Sequence, residues 1–407
     1  MSCFLVSHSC LAARLFAIGA LSVPLCHAEV WDVGGATPDA GTVDGALALA
    51  SDGDVIRVFA SPVPGFTVGD LDVAIVPGVL GTQYEVAGTI TLQGLSAGKA
   101  IVLVGAHVTQ WNAWDWGLNA DSCQGSLRLR DLNVGMAGGV GLDDQWVARI
   151  AGCGDVSLSD STFVGRRGSD GVGTGLSGDG IDGEGALRIE SSHVFLSRVS
   201  TAGGTGGDGY FGSGFIPGYG GDGGDATSIE ASEVFASLCI FEGGAYGYDD
   251  FVLSFGHGFP GWGLVGTNSN IAWQEGYYNS LNAALNPVAA STRRISVEDW
   301  ISDTATLTLT LRGQPGDLVS LVSSPEFAWS SNTAAAPWLV SPALGRDLVP
   351  WRVLGVVPAS GQWTMAVPVG DLPPFGHRTL RLQAVFQSSA GRYLSNSQTA
   401  LVLDSAW

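Results

Sequence analysis

Positively charged residues are scarce in this sequence. Its 407 residues include 18 Lys and Arg against 38 Asp and Glu, which gives a formal net charge of −20. Nucleic acids and anionic membrane surfaces are bound through clustered Lys and Arg, so this balance argues against both as partners. It also disfavours a polyanionic substrate.

Helical periods, long apolar runs and catalytic signatures are missing as well. No amphipathic stretch is long enough for the crossover helices of an α/β fold. No run beyond residue 28 is apolar enough to cross a membrane as a helix. No G-x-S-x-G motif occurs, and no group of His, Cys and acidic residues has structural zinc spacing. The sequence therefore predicts an all-β protein without a recognisable nucleophile or zinc site.

Residues 1–28 have the features of a secretory signal peptide. Arg14 precedes a short apolar run, and Cys26-His-Ala28 has the small-residue pattern of a cleavage site. The run is too short to span a bilayer. We therefore predict that the chain is exported to an extracellular or cell-envelope location.

A degenerate repeat organises the middle of the chain. The pattern V-x-[LA]-S starts at Val156, Val194 and Val234, at intervals of 38 and 40 residues. Both intervals shrink to 17 residues when the Gly/Asp-rich insertions 165–185 and 203–225 are removed. A constant core with variable insertions is typical of a stacked solenoid.

These features together resemble the right-handed parallel β-helix proteins secreted by bacteria, the pectin-lyase-like superfamily. The resemblance covers residues 29–265 and rests on the repeat and the short strands, not on a catalytic signature. It implies a right-handed parallel β-helix. Thr42 is placed to cap a short helix up to Ala50, which would cover the apolar end of the stack.

The pattern changes after residue 265. Residues 266–291 contain Gly, Asn and Pro and are interpreted as a linker. Strict alternation from Ala305 to Leu311, followed by further strand-length runs between Pro/Gly turns, predicts a small antiparallel β-sandwich over 292–407.

The cysteines beyond residue 28 are Cys123, Cys153 and Cys239. Cys123 and Cys153 occupy similar places in consecutive repeats. Neighbouring parallel strands lie about 4.8 Å apart, within the reach of a disulfide. We predict a Cys123–Cys153 bridge in an oxidising compartment, and a buried, inert thiol at Cys239.

The Gly-rich insertions suggest a calcium site. Residues 203–211 fit the calcium nonapeptide G-G-x-G-x-D-x-U-x, and 220–225 fit its first six positions, so Asp208, Asp222 and Asp225 are candidate ligands. The alternative is a flexible, solvated loop.

Two groups of residues could serve an enzyme. Asp249 and Asp250, followed by His257 in a G-H-G, resemble the acids and histidine of polygalacturonase-type hydrolases, in which two carboxylates flank a water. The short spacing and the missing N-T-D depart from that pattern, and a turn with an incidental histidine is the alternative. A lyase would need a basic residue near acids, and Arg166 and Arg167 are the basic pair in such a setting.

Tryptophans mark a possible carbohydrate platform. Trp111, Trp114 and Trp116 lie within six residues, and sugars stack on exposed indoles. Packing over a loop is the alternative. The favoured function is a secreted or envelope-associated binding or structural protein without catalytic activity that contacts extracellular carbohydrate, with no cofactor beyond the candidate calcium. The alternative is a polysaccharide lyase or glycoside hydrolase on the same scaffold.

Overall fold

The structure is a computed structural model that describes sixteen stretches of the chain between residues 29 and 403. They are 29–79, 81–110, 115–135, 140–141, 145–171, 178–210, 218–248, 258–287, 293–297, 300–302, 304, 306–324, 327–330, 338–340, 349–370 and 377–403. The predicted signal peptide lies outside them. No helix in the described part of the chain is long and apolar enough to cross a membrane.

The described residues between 30 and 287 form a parallel β-helix whose coils contribute strands to three parallel sheets. Sheet A contains Val63–Val68, Tyr84–Gln93, Leu118–Asp121, Trp146–Ala151, Gly185–Glu190, Thr227–Glu230, Leu264–Thr267 and Leu281–Asn282. Sheet B contains Val30–Val33, Asp54–Val58, Val73–Pro77, Ala100–Val104, Ser126–Arg130, Asp155–Ser159, His193–Ser197, Glu233–Glu242, Asn270–Tyr278 and Leu285–Pro287. Sheet C contains Ala106–Gln110, Asn133–Gly135, Thr162–Val164 and Ser200–Ala202, together with the other parts of four long strands, Val63–Val68, Tyr84–Gln93, Glu233–Glu242 and Asn270–Tyr278.

The predicted repeat stacks in register in sheet B. Val156 pairs with Val194, which pairs with Val234, and all three side chains are buried in the core of the coil. Alternation of apolar residues buries one face of each strand, and parallel stacking places equivalent residues above one another. The repeat therefore sets the register of the coils.

Hydroxyl groups stabilise the corner between sheets A and B. The Cys153 N–H donates to Ser192 Oγ, the Ser192 N–H to Ser232 Oγ and the Ser232 N–H to Ser269 Oγ, at 3.0, 3.0 and 3.1 Å. At this sharp turn the backbone amides lose their strand partners. The serines of the following coil supply the missing acceptors.

A short helix covers the first coils, as the sequence predicts. It spans Val43–Leu47, and Thr42 Oγ1 accepts the Gly45 N–H at 3.0 Å as the N-terminal cap. Val43 and Ala46 are buried against the solenoid core.

The C-terminal part is the predicted β-sandwich. One sheet contains Arg294–Val297, Thr306–Arg312 and Gln362–Pro368, and the other contains Trp300–Ser302, Gly391–Leu403, His377–Ser388, Leu318–Ser324 and Val349–Val356. A separate antiparallel pair in this part consists of Phe327–Ser330 and Trp338–Val340. Outside it, a short parallel pair consists of Val140–Gly141 and Arg167–Gly168. Leu309 and Phe386 meet in a core between the two sheets.

The boundary between the two parts needs a correction. Asn270–Tyr278, Leu281–Asn282 and Leu285–Pro287 continue the parallel sheets, so most of the segment predicted as a linker belongs to the last coils. Asn268 and Asn279 of this segment occupy coil corners, where a linker would use the same residue type. Arg198 of the solenoid donates to Gln398 Oε1 of the sandwich at 2.9 Å.

Candidate functional site

Three long insertions between sheets C and A build a glycine-rich arm on the solenoid. Each insertion is a hairpin of two extended segments. Segments one and two are residues 165–171 and 178–184, segments three and four are 203–210 and 218–225, and segments five and six are 243–248 and 258–262. The third hairpin was not recognised in the sequence. The residues between paired segments lie outside the described residues.

Backbone hydrogen bonds between segments hold the arm together. Segments one, three and five form a front layer, and segments two, four and six form a back layer. In segment three, the Gly204 N–H donates across to Glu184 O in the back layer, and the Gly206 N–H donates to Ala245 O within the front layer, both at 2.8 Å. The direction of the donors repeats every three residues, which is the period of a polyproline-II helix.

Close packing of the segments requires glycine. A Cβ atom at Gly206 would lie 2.0 Å from Gly221 O, and one at Gly207 would lie 1.9 Å from Ser169 O. The middle hairpin lies between the other two hairpins. Its residues project in three directions, and in two of these a side chain would meet the backbone of a neighbouring segment. Glycine therefore occupies two positions of each triplet there, as in residues 220–225, Gly-Gly-Asp-Gly-Gly-Asp. The interpretation of these residues as a flexible, solvated loop is wrong for the described part of the arm.

The third position of each triplet points away from the opposite layer and often holds aspartate. On the front layer, Asp170 Oδ1 accepts the Asp208 N–H and Asp208 Oδ1 accepts the Tyr248 N–H, both at 2.9 Å. On the back layer, Asp222 Oδ1 accepts the Phe259 N–H at 2.6 Å. Each aspartate thus pairs an amide that its neighbouring backbone leaves without an acceptor.

The predicted calcium ligands do not come together. Asp208 faces outward from the front layer, whereas Asp222 and Asp225 belong to the back layer, and each gives Oδ1 to a backbone amide. Burial raises the pKa of Asp225. Among the described residues no group of three His, Cys, Asp or Glu could hold a metal ion. The nonapeptide match arises because glycine-glycine-x triplets with aspartate share that spacing.

The arm ends in exposed aromatic rings. Tyr248, Phe259 and Trp262 occupy the outward third position of their triplets, as Asp208, Asp222 and Asp225 do. The three aromatic residues are 66, 74 and 43% exposed. These rings form the last row because no further hairpin follows.

The next coil closes the arm instead of extending it. Its short turn gives Asn279 Oδ1 to the Gly243 N–H at 3.0 Å and Ser280 Oγ to the Gly263 N–H at 2.8 Å. Pro260 has no N–H to offer in that direction. The last row therefore faces solvent and offers few backbone groups with which another segment could pair.

The two faces of the arm carry different charges. On the front face Arg167 bridges Asp170 at 2.6 Å and Asp208 at 2.9 Å. The back face, defined as the outward positions of the back layer, has four carboxylates, three rings and no Lys or Arg. Its members are Asp179, Asp182, Tyr219, Asp222, Asp225, Phe259 and Trp262.

Both arginines considered for lyase chemistry form ion pairs with acidic residues. Arg166 is buried and paired through two hydrogen bonds with Glu184, with side chains 3 and 0% exposed. Arg167 is held by the two front-face aspartates. A guanidinium bound in this way is a poor base for abstracting a proton.

Of the predicted tryptophans, Trp116 is described. It is half-buried, with the guanidinium of Arg149 5.8 Å from its ring. Trp111 and Trp114 lie outside the described residues, so their contact with carbohydrate stays a prediction.

The candidate hydrolase residues Asp249, Asp250 and His257 also lie outside the described residues. In the sequence they fall between segments five and six. Their role stays a prediction.

The two cysteines predicted to form a disulfide lie on neighbouring coils. They are free thiols in the structure, and a hydrogen bond between them lowers the pKa of Cys123 to about 7 and raises that of Cys153. The bridge itself stays a prediction. Cys239 is fully buried, which raises its pKa to about 12.

Sequence reasoning did not single out Tyr219, Tyr248, Phe259 or Trp262. The available signal was the triplet spacing of glycine, which continues from residues 220–225 into Gly243-Gly-Ala-Tyr-Gly-Tyr248 and Gly258-Phe-Pro-Gly-Trp262. In that register the aromatic residues replace aspartate.

Comparisons with known proteins were made for the whole chain. No protein-family model and no curated protein matches it. Among solved structures, it is similar to the enzymatically active domain of bacteriophage CBA120 tailspike protein 2, with a TM-score of 0.26 and 10% identity over 93% of this chain and 64% of that chain. The full-length tailspike protein 2 from Escherichia coli O157:H7 bacteriophage CAB120 gives a TM-score of 0.24 and 9% identity over 91% and 68%. The function must therefore be argued from the residues of this chain.

Proposed function

We propose that this protein is a secreted or cell-envelope binding protein that contacts carbohydrate through its glycine-rich arm and has no catalytic activity. One observation carries the proposal. The last row of the arm presents Tyr248, Phe259 and Trp262 to solvent, where the preceding row has aspartates.

Exposed rings on a rigid support suit the recognition of sugars. Large aromatic side chains tend to be buried, and a cluster of them at the surface marks an interaction site. Their flat faces stack on apolar faces of sugars. The hydrogen-bonded segments fix the backbone beneath the rings, so less conformational entropy is lost on binding.

The charged groups of the described arm favour binding over cleavage. Glu184 neutralises Arg166, and two aspartates neutralise Arg167. The aspartates at the outward positions accept hydrogen bonds from backbone amides. Hydrolysis or elimination needs a free acid and base around the scissile bond.

A glycan array probed with the full chain tests the proposal. We expect retention on a subset of glycans and loss of retention in the triple variant Tyr248→Ala, Phe259→Ala, Trp262→Ala. Val353→Ala removes an exposed apolar side chain from the sandwich and serves as the control.

Two results would overturn the proposal. One is an array without retention, or retention unchanged in the triple variant. The other is release of reducing sugar or unsaturated uronate from a bound polysaccharide, which would favour the hydrolase or lyase alternative.

A further inference from the structure

We propose that the back face of the arm is the glycan site and that it selects linear glycans without negative charge. This inference rests on the proposed function and narrows it to one face and one ligand class. The spacing of the rings, the carboxylates beside them and the lack of Lys and Arg at the seven outward positions carry it.

The rings on this face are regularly spaced. Phe259 and Trp262 are three residues apart on segment six, which corresponds to about 9 Å along a polyproline-II helix. Tyr219 lies on segment four, next to segment six, where the Gly223 N–H donates to Phe259 O at 2.8 Å. A straight edge of two rings fits a linear chain of sugars that covers both rings at once.

Carboxylates lie beside the rings in a fixed register. Asp222 is paired with the backbone of Phe259 and Asp225 with that of Trp262, at 2.6 and 2.7 Å. In each pair Oδ1 accepts the amide, and both aspartates are only partly buried. An ionised carboxylate accepts hydrogen bonds and donates none, so its natural partners on a sugar are hydroxyl groups.

The charge of the face excludes anionic glycans. None of its seven outward positions holds Lys or Arg, whereas the front face has Arg167 between two aspartates. A uronate or sulfate brought against Asp222 or Asp225 would be repelled without a compensating cation. Neutral and amino sugars avoid this repulsion.

Titration calorimetry with three hexasaccharides tests the inference, using the full chain. The probes are cellohexaose (neutral), chitosan hexamer (cationic) and hexagalacturonate (anionic). We expect binding of one or both of the first two and at least about tenfold weaker binding of the third, since a tenfold change corresponds to about 1.4 kcal/mol. A hexamer should bind more tightly than the dimer of the same sugar.

Variants of matched exposure separate the two faces. Phe259→Ala and Trp262→Ala should each weaken binding by about tenfold, whereas Tyr210→Ala, which removes a 48% exposed ring from segment three of the front layer, should leave it within about twofold. Asp222→Asn keeps an acceptor for the Phe259 amide and should reduce the discrimination against hexagalacturonate.

The outcomes are distinguishable. Equal or tighter binding of hexagalacturonate, or a loss in Tyr210→Ala equal to that in Phe259→Ala, would overturn this inference and leave glycan binding by the arm intact. Retention of no glycan on the array would overturn the proposed function itself.

Discussion

The coils and the arm stack in the same direction. Packed side chains stabilise the coils, whereas hydrogen bonds between backbone groups stabilise the arm. In the coils, Leu158, Phe163 and Leu196 are fully buried and fill a continuous apolar core. In the middle hairpin of the arm, the buried positions are glycines and the contacts are hydrogen bonds between backbones. The coils therefore depend on side-chain volume, and the arm depends on its absence.

Truncating a core side chain should have the largest effect. Phe163→Ala removes a fully buried ring from the coil, and we expect a loss of about 3–5 kcal/mol in the free energy of unfolding. Chemical denaturation measures it. The control Val164→Ala, on the same strand but facing solvent, should change stability by less than about 0.5 kcal/mol. Equal losses in both variants would show that the core does not dominate.

Breaking the ion pair at the base of the arm should cause the second-largest loss of stability. Glu184→Ala leaves the Arg166 charge buried without its partner, with an expected cost of about 3 kcal/mol. Replacing both residues by Met should recover much of this loss, since neither charge then remains buried. If the double variant were no more stable than Glu184→Ala, the pair would contribute more than charge compensation.

Adding one methyl group tests the arm. The side chain of Gly206→Ala would meet Gly221 O, so we expect a loss of about 1–3 kcal/mol. The loss should appear as faster amide exchange in residues 203–225, with the coils unchanged. Thr205→Ala, at the neighbouring outward position, is the matched control. Slow exchange in Gly206→Ala would contradict close packing.

Acid should weaken the aspartate ladder by the smallest amount. The Asp208 amide lowers the pKa of Asp170, with Arg167 adding to the shift, so the ionised form contributes stability above about pH 4, the usual value for Asp. This contribution is lost as the pH falls through the lowered pKa. Asp170→Asn should therefore be less stable than the wild type at pH 7, with a difference that shrinks as the pH falls through the lowered pKa. A difference independent of pH would contradict this.

The sequence predicted the coils better than the arm. Val156, Val194 and Val234 revealed the register because a buried face demands an apolar residue at each equivalent position. The same alternation predicted the sandwich. The linker boundary failed because residues such as Asn268 and Asn279 suit a coil corner and a linker equally well.

The candidate site could be predicted only in part. The insertions 165–185 and 203–225 were recognised by composition, but their aspartates suggested calcium because a G-G-x-G-x-D motif does not reveal which way its carboxylates point. For Tyr248, Phe259 and Trp262 the only signal was the triplet spacing of glycine, which does not indicate a function. Their role depends on lying in the last row of the arm.

By itself, the sequence determined the register of the solenoid, its helical cap and the β-sandwich, because local apolar periodicity decides which face of a strand is buried. Only the tertiary structure decided that the glycine-rich insertions pack into two layers. Their hydrogen bonds join residues some 20 to 40 positions apart in the chain, such as Gly204 with Glu184 and Gly206 with Ala245. The direction of each outward side chain follows from those neighbours, and so does the separation of the front and back faces.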